Sequence, residues 1–316
     1  MRSRTIALLL AMIVGATVSA CDRGDRIVVG AKAFTEGYLF GHMIAILLED
    51  AGYSVDEQFG LASAAMRGAI ETGQVDIYVE YTGTAYAVYA RGEDRGVMVD
   101  SARVLDAVRR FDSVERDLSW LTPFPFENTY ALVTRKGRDL ESFQGSLSGL
   151  ARSIRNGTEA TIAVDAEFFE RVDGMKGLAD HYDLPLRNVR KMDAGLIYDG
   201  VRTDAIDVGM GYSTDGRIAA FDLAILDDDR RFFPAYHPAA VVRRELLLRH
   251  PGIRIIIERL NSVLDATVMR KLNGLVDMHH RDPRKVAREF LLRSGVLTQR
   301  PTGSRPSRPR EEHQDP

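Results

Sequence analysis

Tyrosine is the residue type whose placement in this sequence suggests chemistry. Tyr81 stands in Glu80-Tyr81-Thr82-Gly83-Thr84, directly after an apolar run, and Tyr130 in Asn128-Thr129-Tyr130. Tyr198 follows Met192-Asp193-Ala194-Gly195, Tyr212 sits in Gly211-Tyr212-Ser213-Thr214-Asp215-Gly216, and Tyr236 closes Phe232-Phe233-Pro234-Ala235-Tyr236. Several of these positions read as strand ends or turns, where open α/β sheets bind their ligands. The face of a phenol ring attracts a cation by ~0.5–2 kcal/mol, depending on desolvation. A quaternary ammonium, which has no N–H to donate, suits such a site. One tyrosine alone would more often be half-buried packing. Five of them in both halves of the chain argue for a shared site.

Enzyme chemistry finds no comparable footing. There is no G-x-G-x-x-G and no G-x-x-x-x-G-K-[ST]. The nearest approach to a nucleophile elbow, Gly211-Tyr212-Ser213-Thr214-Asp215, has Asp where the second Gly belongs. His279 and His280 are adjacent, so on a helix they point to different faces and do not pair as metal ligands. The single Cys excludes an intramolecular disulfide and a Cys-cluster metal site. No cofactor and no metal are expected. The 42 Lys and Arg against 45 Asp and Glu give no reason to expect nucleic acid as a partner.

The elements that must position these residues alternate. Strands are expected at 26–30, 55–58, 76–79, 129–134, 161–164, 188–191, 205–210 and 239–242. Amphipathic helices are expected at 37–52, 64–72 (capped by Ser63), 82–91, 102–118, 139–155, 167–181 and 195–203. Four more follow at 244–249, 252–265, 267–279 and 283–294, the last entered through Asp282-Pro283. Two successive βα series make an α/β protein of two lobes. Neither end reads as fold. Residues 1–20 have the charged, apolar and small-residue regions of a signal peptide, too short to span a bilayer comfortably. The single Cys21 follows Val18-Ser19-Ala20 directly and looks like the acylated Cys of a bacterial lipobox, with the mature protein lipid-anchored outside the cytoplasm. Residues 298–316 are Pro- and Arg-rich without apolar residues, and a disordered tail is expected there.

Seven segments in order carry a specific resemblance: Lys32-Ala33-Phe34-Thr35-Glu36, Asp76 to Thr84, Asn128 to Leu132, Asp165-Ala166-Glu167-Phe168, Met192 to Leu196, Ser213 to Arg217 and Phe232-Phe233-Pro234. Together they resemble the substrate-binding lipoproteins of osmoprotectant ABC importers, which take up glycine betaine, choline, carnitine and similar quaternary amines. The resemblance implies a type II periplasmic-binding-protein fold, two lobes joined by two crossing strands around a cleft. The crossings are expected at about 129–135 and 237–243, giving lobe one as 26–131 plus 236–297 and lobe two as 132–235. It also implies an aromatic cage at Tyr81, Tyr198 and Tyr236, with Tyr130 and Tyr212 as further candidates. Thr35, Thr82, Thr84 and Ser213 would face the carboxylate or hydroxyl end of the ligand. The implied partners are a membrane permease and its ATPase subunits. Two departures bear on ligand identity: Gly37 stands where the family commonly has Gln, and Leu61-Ala62-Ser63-Ala64-Ala65 replaces a polar loop. A less polar trimethylammonium compound such as ergothioneine stays open, as does a sensor using the same site. An enzyme on this fold related to porphyrin deaminases would need a Cys for its cofactor, and the only Cys is Cys21.

Overall fold

The computed structural model describes residues 26–298; the expected signal peptide, Cys21 and nearly all of the C-terminal tail lie outside them. Among the described residues, ten strands form two five-stranded sheets. The first has the order β2-β1-β3-β10-β4, from Ser54–Leu61, Arg26–Lys32, Ile77–Tyr81, Pro238–Arg243 and Leu118–Trp120. The second has the order β7-β6-β8-β5-β9, from Val189–Lys191, Ile162–Val164, Val208–Tyr212, Tyr130–Arg135 and Leu223–Ile225. The two orders are the same pattern. In each, three parallel strands are followed by one antiparallel strand, β10 or β5, that arrives after the chain has crossed between lobes.

The crossings are the segments 121–129 and 226–237, slightly before the expected positions. The first runs antiparallel to the end of the second and the start of β10, with the amides of Leu121, Phe124 and Asn128 donating to the carbonyls of Ala240, Pro238 and Tyr236. Tyr130 and Ala131, expected in the first lobe, pair with Tyr212 and Gly211 in the second sheet.

Six helices matter for the site: α1 (Thr35–Asp50), α2 (Ala166–Glu170), α3 (Ala194–Arg202), α4 (Gly216–Ala220), α5 (Ala266–Asp277) and α6 (Pro283–Arg293). α1 buries Leu39, Phe40, Met43, Ile44 and Leu47 at helical spacing in the first-lobe core and packs against α6. α6 starts as its sequence dictates: the Asp282 carboxylate accepts from the Lys285 amide, and Pro283 takes the first helical position.

Local expectation fails where short pieces replace one period. The helix expected at 139–155 is two helices, Arg138–Ser142 and Leu147–Arg155, because Gln144 and Gly145 turn at φ 50° and 65°. The helix expected at 167–181 likewise breaks into α2 and Met175–Tyr182. Ser63 is the first helical residue rather than a cap; Ala62 takes the cap position and no side chain bonds there. β4 and β9 are three residues each, too short to show a period of two. Pairing with β10 and β5 makes them strands.

Candidate binding cleft

The shared topology brings equivalent strand ends to one edge. The carboxyl ends of β1 and β3 deliver Lys32 and Tyr81. Those of β6 and β8 deliver Asp165 and Tyr212. β5 and β10 run the other way, so it is their amino ends that reach the same edge, with Tyr130 opening β5 and Tyr236 two residues before β10. These side chains line a cavity of about 400 Å³ between the lobes, within the range of small-molecule sites, about 300–1,000 Å³.

Its aromatic wall has five rings. Tyr130 lies 5.4 Å from Tyr212 and 5.7 Å from Tyr236, the second pair perpendicular. Phe34, from the turn between β1 and α1, bridges the lobes: its ring stacks on Tyr212 at 5.9 Å and meets Tyr81 at 6.0 Å. Burial pushes the Tyr81, Tyr130, Tyr212 and Tyr236 hydroxyls well above the usual phenol range, so all four rings stay neutral.

Beside the rings lies an unusual carboxylate. Glu36, in the first turn of α1, is 1% exposed. Its Oε1 accepts from Tyr81 Oη at 2.6 Å and Asn128 Nδ2 at 3.1 Å. Its Oε2 accepts from Thr214 Oγ1 at 2.7 Å and Asn273 Nδ2 at 3.2 Å. All four donors are neutral, and burial raises its pKa against them. Lys32 pairs with Glu80 at 2.5 Å. Arg171 is held by Asp173, lies 5.3 Å over the Tyr130 ring and donates to Thr84 Oγ1 at 3.3 Å. Several of these bonds join lobe to lobe: Thr214 to Glu36, Arg171 to Thr84, and Asn273 Nδ2 to the Thr214 carbonyl at 3.0 Å. The lobes are therefore closed on one another.

Six of the nine expected ligand-binding residues line this cavity: Tyr81, Tyr130, Tyr212, Tyr236, Thr35 and Thr84. The Thr35 hydroxyl is already committed to Asp277 at 2.5 Å. The other three expected residues lie outside this cavity lining. Tyr198, within α3, is 1% exposed in the second-lobe core; its Oη accepts the Tyr212 amide at 2.9 Å and its face carries Arg217 at 4.3 Å. It braces a cavity residue without being one. Thr82 is fully buried at the second crossing, donating to the Ala235 carbonyl at 2.8 Å and accepting the His237 amide at 3.1 Å. Ser213 accepts the Thr129 amide at 3.0 Å and lines a separate groove rather than the cleft.

Residue reasoning passed over Phe34, Glu36, Asn128, Arg171, Thr214 and Asn273 as site residues. Phe34, Glu36, Asn128 and Thr214 lie inside segments that carry the family resemblance, which was the available signal. Arg171 and Asn273 have none in sequence. Gly37 has a local reason: a Cβ there would stand 2.7 Å from the Lys32 carbonyl, so any larger residue would push α1 off β1. Leu61, Ala62 and Ser63 do reach the cavity, making that part of the rim weakly polar, whereas Ala64 does not line it.

Two α/β lobes closed over a cavity at matching strand ends define a solute-binding protein. Residues 25–293 match the family described as the substrate binding domain of ABC-type glycine betaine transport systems. The chain is 33% identical over 303 residues to a glycine-betaine-binding protein of Pseudomonas aeruginosa, covering 93% of this chain and 96% of that one. It is 32% identical over 310 residues to the carnitine transport binding protein OpuCC of Listeria monocytogenes, covering 94% and 99%. A solved structure titled as a glycine betaine/carnitine/choline ABC transporter superposes with a TM-score of 0.71 at 29% identity, over 85% of this chain and 99% of that one. The chain belongs to this family. It is an extracytoplasmic binding subunit of an ABC importer and not an enzyme.

Proposed function

We propose that the protein captures a quaternary ammonium compound in the aromatic cleft and presents it, closed, to an ABC permease. The observation that carries this reading is the convergence of Tyr81, Tyr130, Tyr212, Tyr236 and Phe34 on one cavity beside Glu36. Ring faces attract a cation that cannot hydrogen-bond, and desolvation strengthens the attraction. The relatives named for glycine betaine and carnitine support the same ligand class. In the open form one lobe offers Tyr81 and Phe34. Closure adds Tyr130 and Tyr212 from the second lobe and forms the Glu36–Thr214 bond. A ligand shifts this equilibrium only by its preference for the closed form, and contacts from both lobes supply that preference. The chain holds no nucleotide-binding motif, so ATP hydrolysis falls to the permease's cytoplasmic partner.

We also assign Cys21 as a lipid attachment site that keeps the protein at the membrane; Cys21→Ser is expected to release it into the soluble fraction of its native cell. Titration calorimetry with glycine betaine, choline, carnitine and ergothioneine tests the ligand class. Saturable binding of at least one is expected. Silence with all four, with binding of an ordinary amino acid instead, would overturn it.

A further inference from the structure

The end of the first lobe opposite the cleft is where the chain enters the fold. β1 delivers Lys32 to the cleft, so Arg26 stands at its far end, about 20 Å away at the rise of an extended strand. Contacts gather three other segments there. Arg26 pairs with Ser54 at the start of β2, and Tyr53, the residue before, meets the His250 ring edge-on at 5.4 Å. β10 runs the other way, so its last residue, Arg243, lies at this end too, paired with Leu118. The Arg244 amide donates to the Asp117 carbonyl at 2.9 Å, and the Arg244 guanidinium to the Ser113 carbonyl at 2.8 Å.

This end carries the three most exposed large apolar side chains among the described residues: Val114 at 77%, Leu248 at 76% and Ile255 at 71%. Val114 follows Ser113, and Leu248 stands one helical turn after Arg244, which bonds that serine's carbonyl. Ile255 belongs to the helix Gly252–Glu258, which begins just past His250. The acids here are answered within the fold: Asp56 by Arg26 at 2.9 Å, Asp117 by Arg244 at 3.1 Å and Glu245 by Arg243 at 3.1 Å. What the face offers a partner is therefore apolar, and apolar groups gathered on one exposed face mark a contact surface.

The anchor says what that partner is. Only Asp22-Arg23-Gly24-Asp25 separates Cys21 from Arg26. Five residues of chain, even fully extended, span at most about 18 Å. A lipid on Cys21 keeps the start of β1 within that reach of the membrane surface, and the turn at His250 with it. We propose that this end of the first lobe is a membrane-contact face, on which Leu248 and Ile255 enter the headgroup region of the phospholipid leaflet that holds the anchor. This rests on the assignment of Cys21 above. Apolar side chains of an interfacial helix sink ~5–10 Å into the headgroup boundary. Arg249 and Arg254, both about half exposed, lay their stems along it and turn their guanidinium ends to the phosphates. The molecule then stands on its first lobe, with the cleft edge of the sheet about 20 Å further out.

The lipidated protein has no other cysteine, so Leu248→Cys accepts a single environment-sensitive fluorophore. The test reconstitutes this protein in vesicles of phosphatidylcholine and phosphatidylglycerol that carry nitroxide-labelled headgroups. Quenching is expected to be at least about twofold stronger for the label of Leu248→Cys than for that of Leu196→Cys, an exposed position in the second lobe. Ile255→Cys should behave as Leu248→Cys does, and it carries the comparison alone if the first variant does not fold. Equal quenching in the two lobes overturns the face and leaves the anchor standing. Mass spectrometry of the membrane-extracted protein that finds Cys21 unmodified overturns both.

Discussion

Tyr212 and Tyr198 belong to the same lobe, and the amide of the first donates to the hydroxyl of the second at 2.9 Å, yet only Tyr212 presents its ring to the cavity. Their substitutions should therefore separate. Tyr212→Ala is expected to weaken ligand binding about two- to thirtyfold, the equivalent of ~0.5–2 kcal/mol of ring–cation attraction, with little change in the unfolding midpoint. Tyr198→Phe leaves the Tyr212 amide buried without its acceptor, a cost of ~1–3 kcal/mol in stability; thermal unfolding should show it. Equal stability losses in the two variants would contradict the assignment. The strand-end tyrosines were legible in sequence because strand ends and turns leave a local signature. Whether a ring faces cleft or core depends on what lies across from it, and Tyr198 sits mid-helix, where Arg217 covers its face. Glu36 was illegible as a buried acid because its four donors come from β3, the first crossing, α4's approach and α5.

The crossing segments are the elements on which closure must turn, and one ion pair ties them together. His237 Nε2 lies 2.9 Å from Glu127 and 3.1 Å from Ser101 Oγ, while its Nδ1 meets the Phe126 carbonyl at 2.9 Å. The hydrogen bond to Glu127 raises the His237 pKa from 6.5, and the same bond lowers Glu127 from 4.5. The histidine's contribution is thus complete below pH 6.5 and is lost as pH rises through its raised, folded-state value. The glutamate's is present above pH 4.5 and is lost as pH falls through its lowered value. Thermal midpoints measured from pH 5.5 to 8.5 are expected to fall on the alkaline side, and His237→Gln should flatten that fall; an identical profile in the variant would refute the pairing. A second element-level prediction concerns the helix Ser101–Glu115. Its fully buried Asp112 takes both Nη atoms of Arg67 and the Trp120 indole N–H at 2.6 Å. Asp112→Ala takes both Nη partners from the buried Arg67 guanidinium, leaving its Nε on Glu71, and is expected to cost ~3 kcal/mol. Trp120, the single tryptophan, reports that unfolding by its fluorescence. Most long helices and strands were readable from periodicity, since α1 and β10 bury what their patterns say. β4 and β9 were not, because only a distant partner strand makes them strands.

At the scale of the whole molecule, closure brings α4 of one lobe against α5 of the other. A Cβ on Gly216 would lie 2.8 Å from the Gly274 Cα, a backbone contact that cannot rotate away. Gly216→Val should hold the lobes apart. A larger radius of gyration with ligand present is expected by small-angle scattering, together with affinity lower by tenfold or more and an intact fold. A normal closed radius would contradict the closure geometry. The two-lobe plan itself was legible because two βα series are local patterns repeated along the chain. The crossing positions were not, since the first moves from 129–135 to 121–129 through pairing that sequence does not display. The proposed function depends on a positive charge being recognised by ring faces. Calorimetric titration with choline and with 3,3-dimethyl-1-butanol, its neutral isostere with carbon in place of nitrogen, tests that most directly. The account predicts saturable binding of choline and none of the isostere at the same concentrations; comparable affinity for the two would contradict it.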